Sequence, residues 1–177
     1  MKVLVTGRNG FIGKNLIVRL NELSVQVATY TRENSIQDLE ELIKNTDYVV
    51  HLAGENRPDD EKDFDVNNAG LTRSICDAVR SSGKNISIIL ASSVQADLDN
   101  AYGKSKLDAE VAVKALEIDI GCPVYVYRLP GVFGKWCMPN YNSVVATFCH
   151  NISHDLPIQV NDPSFELSLV YIDDVVE

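Results

Sequence analysis

The chain has 177 residues, 45% of them hydrophobic, and a formal net charge of -9. That length suits one domain or slightly more, with a core large enough to need no disulfide or metal staple. The apolar content excludes a disordered chain, the balance of 16 basic against 25 acidic residues argues against general nucleic-acid binding, and no apolar run reaches the roughly 18 residues of a membrane-spanning helix.

Met1-Lys2 runs straight into Val3-Leu4-Val5, an apolar run too short for a secretory leader, so a cytoplasmic protein is expected. Cys76, Cys122, Cys137 and Cys149 show no finger-like spacing and read as free thiols. Cys149, His150 and His154 are the one conceivable metal cluster; no acidic partner surrounds them, and no metal is expected.

Val3 to Thr6 reads as a buried strand, followed by a glycine-punctuated turn from Gly7 to Gly13. Phe11 to Leu23 has helical spacing, and Val25 to Thr29 alternates like a strand. Ser35 opens a short helix, with Asp38 as its capping partner. Asp47 to Leu52 is a third strand, and residues from Glu61 to Ser82 read as one long helix stopped by Gly83. Ile86 to Leu90 is a fourth strand, Tyr102 to Ile118 a helix, and Val124 to Arg128 a fifth strand. Ser143 to Ser153 is a further helix, and Ile158 to Val160 and Leu167 to Val170 are short strand candidates. Strands alternating with helices mean an α/β fold, a Rossmann-type doubly wound parallel sheet. The end of the chain looks like the start of a helix, so the C-terminal substrate-binding region is expected to be incomplete.

Gly7, Gly10 and Gly13 stand between the first strand and the first helix. A glycine there makes the tight turn, a second lets a pyrophosphate approach the backbone, and a third lets the helix pack on the sheet. The free amides of the helix N-terminus suit an anion. The second strand ends at Thr29-Tyr30-Thr31-Arg32, where a carboxylate would grip the ribose of NAD. Arg32 and Arg8 instead offer two guanidinium groups to a 2′-phosphate, so NADP(H) is the expected cofactor. Glu33, one residue on, is the opposing signal.

Tyr102 and Lys106 are four apart at the start of a helix and share a face. A neighbouring ammonium would lower the phenol pKa, fitting it to exchange a proton with a carbonyl oxygen near neutral pH. Ser93, at the end of the fourth strand, could hold that oxygen. No carboxylate pair accompanies Ser93-Val94-Gln95, which argues against a dehydratase.

These residues resemble the extended type of the short-chain dehydrogenase/reductase family. The resemblance rests on Gly7-Arg8-Asn9-Gly10-Phe11-Ile12-Gly13, His51-Leu52-Ala53-Gly54, Asn67 with Gly70, Ser92-Ser93, Tyr102 to Lys106, and Arg128 to Gly134. It implies Tyr102 as acid/base, Lys106 as its partner and as a holder of the nicotinamide ribose, and Ser93 as the group steadying the reacting oxygen. It places Gly7, Arg8, Gly10, Phe11, Ile12, Gly13, Arg32, Leu52, Ala53, Gly54, Leu129 and Val132 around the cofactor, with Asn67 supporting the site.

Within the family, His51 to Pro58 and Gly134 to Ser143 are similar to capsular-polysaccharide UDP-sugar reductases, whose reductase domain is joined to a cupin. That likeness implies NADPH-dependent reduction of a UDP-2-acetamido-2,6-dideoxy-4-hexulose at C4. Asn56, Arg57, Asn140 and Asn142 are then expected to touch the UDP-sugar; a polar turn with Asn142 as helix N-cap is the alternative for the last two. Residues 1–177 would be the NADP-binding reductase domain without the cupin, working as a homo-oligomer. A UDP-sugar 4-epimerase would use the same three residues and stands as a second reading; a non-catalytic NADP-binding module is the third.

Overall fold

The computed structural model describes residues 1–56 and 64–177, with backbone alone at 65–67. The chain divides into two units, Met1–Arg128 and Leu129–Glu177.

In the first unit the strands are β1 (Lys2–Thr6), β2 (Gln26–Tyr30), β3 (Tyr48–His51), β4 (Ser87–Ser93) and β5 (Val124–Leu129, whose last residue opens the second unit). They form one sheet in the order β2-β1-β3-β4-β5. β1 pairs in parallel with both β2 and β3, and β3 with β4; Val3 faces Val27 on one side and Tyr48 on the other. The helices are α1 (Phe11–Glu22), α2 (Ile36–Lys44), α3 (Leu71–Ser82) and α4 (Ala101–Ile120). This is the doubly wound Rossmann-like arrangement that the alternation predicts.

The core follows from the strand pattern. Leu4, Val49, Ile88 and Leu90 cluster with Leu39 and Ile43 of α2, Ile75 and Val79 of α3, and Val113 and Leu116 of α4. Val3 and Val5, alternate to Leu4, are buried as well, so β1 is covered on both faces. The capping box at α2 forms as expected: Ser35 Oγ accepts from the Asp38 amide, and the Asp38 carboxylate accepts from the Ser35 amide.

Three of the expected elements differ in the structure. β4 runs on to Ser93, past the apolar run ending at Leu90, because its buried Ser92 hydroxyl has an acceptor in Glu110. The expected long helix before Ser82 is not uniform: Asp65–Gly70 is a π-helical turn and α3 starts at Leu71. Its first residues, with the acidic run at Asp59-Asp60-Glu61, lie outside the described residues, as does Arg57. Ile158 to Val160 is not a strand; the segment is exposed and has no paired neighbour.

In the second unit, β6 (Gly131–Phe133) pairs in parallel with β7 (Leu169–Tyr171), Val132 opposite Val170. β6 is three residues long, too short to show an alternation. The Phe133 and Tyr171 rings meet at 5.5 Å. α5 (Val144–Ser153) is capped by Ser143, whose Oγ accepts from the Ala146 amide, and not by Asn142. α6 (Ile172–Val176) ends the chain. No described helix is long and apolar enough to cross a membrane. All four cysteines are free, with Cys76 and Cys122 buried.

Candidate active site

β1 delivers the chain to the glycine turn at the C-terminal edge of the sheet. Gly7 has φ +73, and a Cβ there would lie 2.6 Å from the Ala53 amide nitrogen. A Cβ on Gly13 would lie 2.2 Å from the Gly7 carbonyl oxygen. Neither position has room for a side chain. α1 starts at Phe11 with no capping side chain and no acidic residue in its first turn. Its amides and partial positive charge meet no competition from its own capping or acidic residues, which fits the pyrophosphate of a dinucleotide.

Beside this turn opens a cleft of about 910 Å³. Of the residues expected around the cofactor, Gly7, Arg8, Gly10, Arg32, Leu52, Ala53 and Gly54 line it, with Thr31 beside them, and Phe11, Ile12 and Gly13 do not. Glu33 lines it too. Arg8 Nη1 donates to Thr29 Oγ1 at 3.5 Å. Arg32, 82% exposed in its side chain, is ion-paired with Glu55. Glu55, Arg73 and Ser74 also line the cleft, and sequence reasoning did not single them out. Arg73 and Ser74 stand in the first turn of α3, and no spacing in the glycine motif points to a helix that starts after the third strand.

The second cluster stands on β4 and α4. Asn100 caps α4, its Oδ1 accepting from the Gly103 amide at 2.7 Å. Tyr102 in that first turn is half-buried and hydrogen-bonded to Ser93. Its ring tilts against Phe64 at 5.8 Å, with Lys106 Nζ 5.8 Å from the ring centroid. Lys106 is 8% exposed and donates to the Ala91 carbonyl oxygen at 3.2 Å. Burial pulls its pKa down to about 8. A Cβ on Gly54 would lie 3.2 Å from Lys106 Nζ, so the ammonium reaches the residue that lines the cleft. The three residues do come together. The expected lowering of the phenol pKa is not found: burial holds Tyr102 above its usual value, against a smaller opposing effect of the Ser93 hydrogen bond. The reason is that desolvation of the phenol outweighs the hydrogen bond that favours its ionised form.

A buried ionic network fixes β4 and α4 to β5. Glu110, 1% exposed, accepts from Arg128 at both oxygens, at 2.8 and 2.9 Å, and from Ser92 Oγ at 2.6 Å. Arg128 also donates to Asp97 at 2.6 Å.

His51, at the end of β3, is a second buried polar centre that the resemblance alone does not explain. The Thr72 hydroxyl donates to the Asn68 carbonyl oxygen at 2.9 Å, so it accepts from His51 Nε2–H. His51 Nδ1 then accepts from the Thr6 hydroxyl at 2.7 Å, and Thr6 Oγ1 accepts from the Ala53 amide at 3.1 Å. Both ring nitrogens are satisfied only in the neutral ring. Burial, helped by the Lys106 charge, pushes the His51 pKa down to about 3. The unfolded chain takes up this proton near the ordinary value of 6.5, and the folded chain does so only near 3. Stability should therefore fall as pH drops through that window. Between pH 6.5 and pH 4 the loss from this group is about 3 kcal/mol. Urea midpoints at the two pH values should converge for His51→Gln relative to wild type. Parallel profiles would remove the assignment.

The remaining expected positions stand as follows. Phe11 and Ile12 open α1. Asn56 is exposed at a bend and does not line the cleft. The side chain of Asn67 lies outside the described residues. Leu129, Val132, Asn140 and Asn142 belong to the second unit, where the Asn140 amide donates to Thr147 Oγ1 at 2.9 Å. Among the described residues no three or more His, Cys, Asp or Glu side chains form a metal-binding group.

Comparison with known proteins agrees with this geometry. The chain is 56% identical over 177 residues to a UDP-2-acetamido-2,6-beta-L-arabino-hexul-4-ose reductase of Pseudomonas aeruginosa PA103, covering 99% of this chain and 48% of that protein. The capsular polysaccharide assembling protein CapF of Staphylococcus aureus superposes with a TM-score of 0.87 at 42% identity, over 99% of this chain and 48% of that one. The chain thus spans about half the length of these relatives. A UDP-glucose 4-epimerase of Thermotoga maritima shares the fold, with a TM-score of 0.86 at 22% identity, over 99% of this chain and 71% of that one. The family description of the NAD dependent epimerase/dehydratases fits residues 3–177 without a break. That span takes in the glycine turn, the cleft and the Ser93–Tyr102–Lys106 cluster alike, and the chain belongs to the NAD dependent epimerase/dehydratase family.

Proposed function

We propose that this chain is the NADPH-binding part of a reductase that converts the C4 ketone of a UDP-2-acetamido-2,6-dideoxy-hexulose to an alcohol. The observation that carries the chemistry is the meeting of Ser93, Tyr102 and Lys106 beside the cleft. The likeness to the Pseudomonas reductase supports the substrate class. When bound, the nicotinamide supplies the hydride. The chain's own groups do the rest. The Ser93 hydroxyl holds the C4 oxygen, and the Tyr102 phenol gives it a proton. A phenol held above its usual pKa starts protonated at neutral pH, as a proton donor must. Lys106, buried and in reach of Gly54, holds the nicotinamide ribose and offsets the negative charge that forms as the phenol ionises. Asn56 and Arg57 belong to this proposal as contacts to the sugar nucleotide. Capsular or O-antigen precursor synthesis is the setting that the CapF likeness favours.

NADP(H) preference is part of this proposal. Arg8 and Arg32 line the cleft at the end of β2, and Arg32 exchanges Glu55 for the 2′-phosphate. Losing one charge-assisted contact of that kind costs about 1.5–3 kcal/mol, so Arg32→Ala should weaken NADPH roughly tenfold or more and leave NADH unchanged. Calorimetric titration of both cofactors into the two proteins is the check, followed by NADPH consumption with the 4-keto UDP-sugar. Equal wild-type affinities for NADPH and NADH would sink the preference. Consumption is measured in a protein of the relatives' full length, and tight NADPH binding without consumption of the ketose there would remove the reductase reading.

A further inference from the structure

Between the cleft and the Tyr102–Lys106 pair stands a side chain that the proposed chemistry leaves unused. Asn68 lies in the π-helical turn and is 2% exposed. Its Oδ1 accepts from the Glu55 amide at 2.6 Å, while its Nδ2 donates to the Glu55 carbonyl oxygen at 3.1 Å and to Ser105 Oγ at 2.9 Å. The Ser105 hydroxyl in turn donates to the Tyr102 carbonyl oxygen at 2.8 Å. Both N–H groups of the amide are used, and Glu55 is gripped at its amide and its carbonyl, as one strand residue grips another. The Asn68 carbonyl accepts from Thr72, which closes the chain running through His51 and Thr6 to the Ala53 amide. A Cβ on Gly54 would lie 3.1 Å from Asn68 Oδ1 and 3.2 Å from Lys106 Nζ, so the amide and the ammonium bracket one residue of the cleft.

We infer that Asn68 is a positioning residue that locks the cleft wall at Gly54-Glu55 to the first turn of α4, and so sets where the Tyr102 phenol stands relative to a bound cofactor. Only an asparagine does this here. Alanine has no polar atoms, and aspartate would turn its two donors into acceptors facing the Glu55 carbonyl and Ser105. The kinetic consequence rests on the reductase reading; the lock itself is a property of the protein alone.

The test uses Asn68→Ala, Ser105→Ala, their combination, and Val79→Ala as a control that loosens the fully buried core of α3 away from the site. Amide hydrogen exchange reads the lock without cofactor. The Glu55 amide should exchange at least tenfold faster in Asn68→Ala and keep its wild-type rate in Val79→Ala, judged at equal loss of Tm. In turnover, Asn68→Ala should lower kcat about tenfold with NADPH affinity within twofold of wild type, since small misplacements of reacting groups cost rate rather than binding. Ser105→Ala should lower kcat about threefold, and the double variant should be no worse than Asn68→Ala, because both cut one thread. Protection of the Glu55 amide in Asn68→Ala, or additive losses in the double variant, would overturn the inference. If Asn68→Ala does not fold, unchanged kcat in Ser105→Ala overturns it. Turnover is read in a protein of the relatives' full length; if wild type shows none there, the reductase reading fails, and exchange at Glu55 still decides the lock.

Discussion

In a protein of the relatives' full length, Tyr102→Phe should lose hydride transfer by roughly 100-fold or more while binding NADPH nearly as tightly as wild type. The substitution removes one oxygen and leaves the ring, so its contact with Phe64 and its place beneath Lys106 persist. What disappears is the proton for the C4 oxygen and the hydrogen bond to Ser93. Lys106→Ala should differ by damaging both steps, because the ammonium serves the phenol and the ribose. Single-turnover oxidation of NADPH by the 4-keto UDP-sugar separates the two. A Tyr102→Phe enzyme with near-full rates would eliminate the proposed proton donor.

Arg128→Ala is expected to lower stability, because it takes two donors from a carboxylate that is 1% exposed and leaves it the Ser92 hydroxyl and Lys114 at 3.7 Å. Glu110 is 1% exposed and receives two of the Arg128 donors, and its carboxyl is held below the usual value by them and by Ser92 despite the opposing pull of burial. Replacing both partners together, with Glu110→Leu and Arg128→Met, should recover much of the loss, since an apolar pair of similar volume needs no desolvation. Urea unfolding of the three variants gives the comparison. A single-variant cost below about 1 kcal/mol would mean that the pair behaves as a solvated surface bridge.

The motifs that sequence carries well are those whose physics is local. Gly7 and Gly13 announce themselves because a strand-to-helix turn needs their missing side chains, and Ser35 with Asp38 because a cap is closed within four residues. Tyr102 and Lys106 were readable for the same reason, being neighbours on one helix face. Glu55, Arg73 and Asn68 were not. Their partners lie far along the chain, Arg32 for Glu55 and Ser105 for Asn68, and nothing in the spacing joins them. The Tyr102 phenol pKa ran opposite to expectation because proximity of a lysine is visible in sequence and burial of both groups is not. Likewise the chain order does not show that Glu110 gives the buried Ser92 hydroxyl its acceptor and that Arg128 gives that carboxylate its counter-charge.

The parallel register has a consequence for how the protein is made. Val3 pairs with Val27 and with Tyr48, and Val49 with Ile88, so no strand of these pairs meets its partner across a tight turn. Each pairing waits for an intervening helix to form and dock, and such distant closures slow folding. During synthesis β1 leaves the ribosome before either of its neighbours. Its apolar Val3-Leu4-Val5 segment, fully covered in the finished sheet, then has both edges unpaired until β2 emerges and one until β3 does, which exposes the nascent chain to aggregation in that interval.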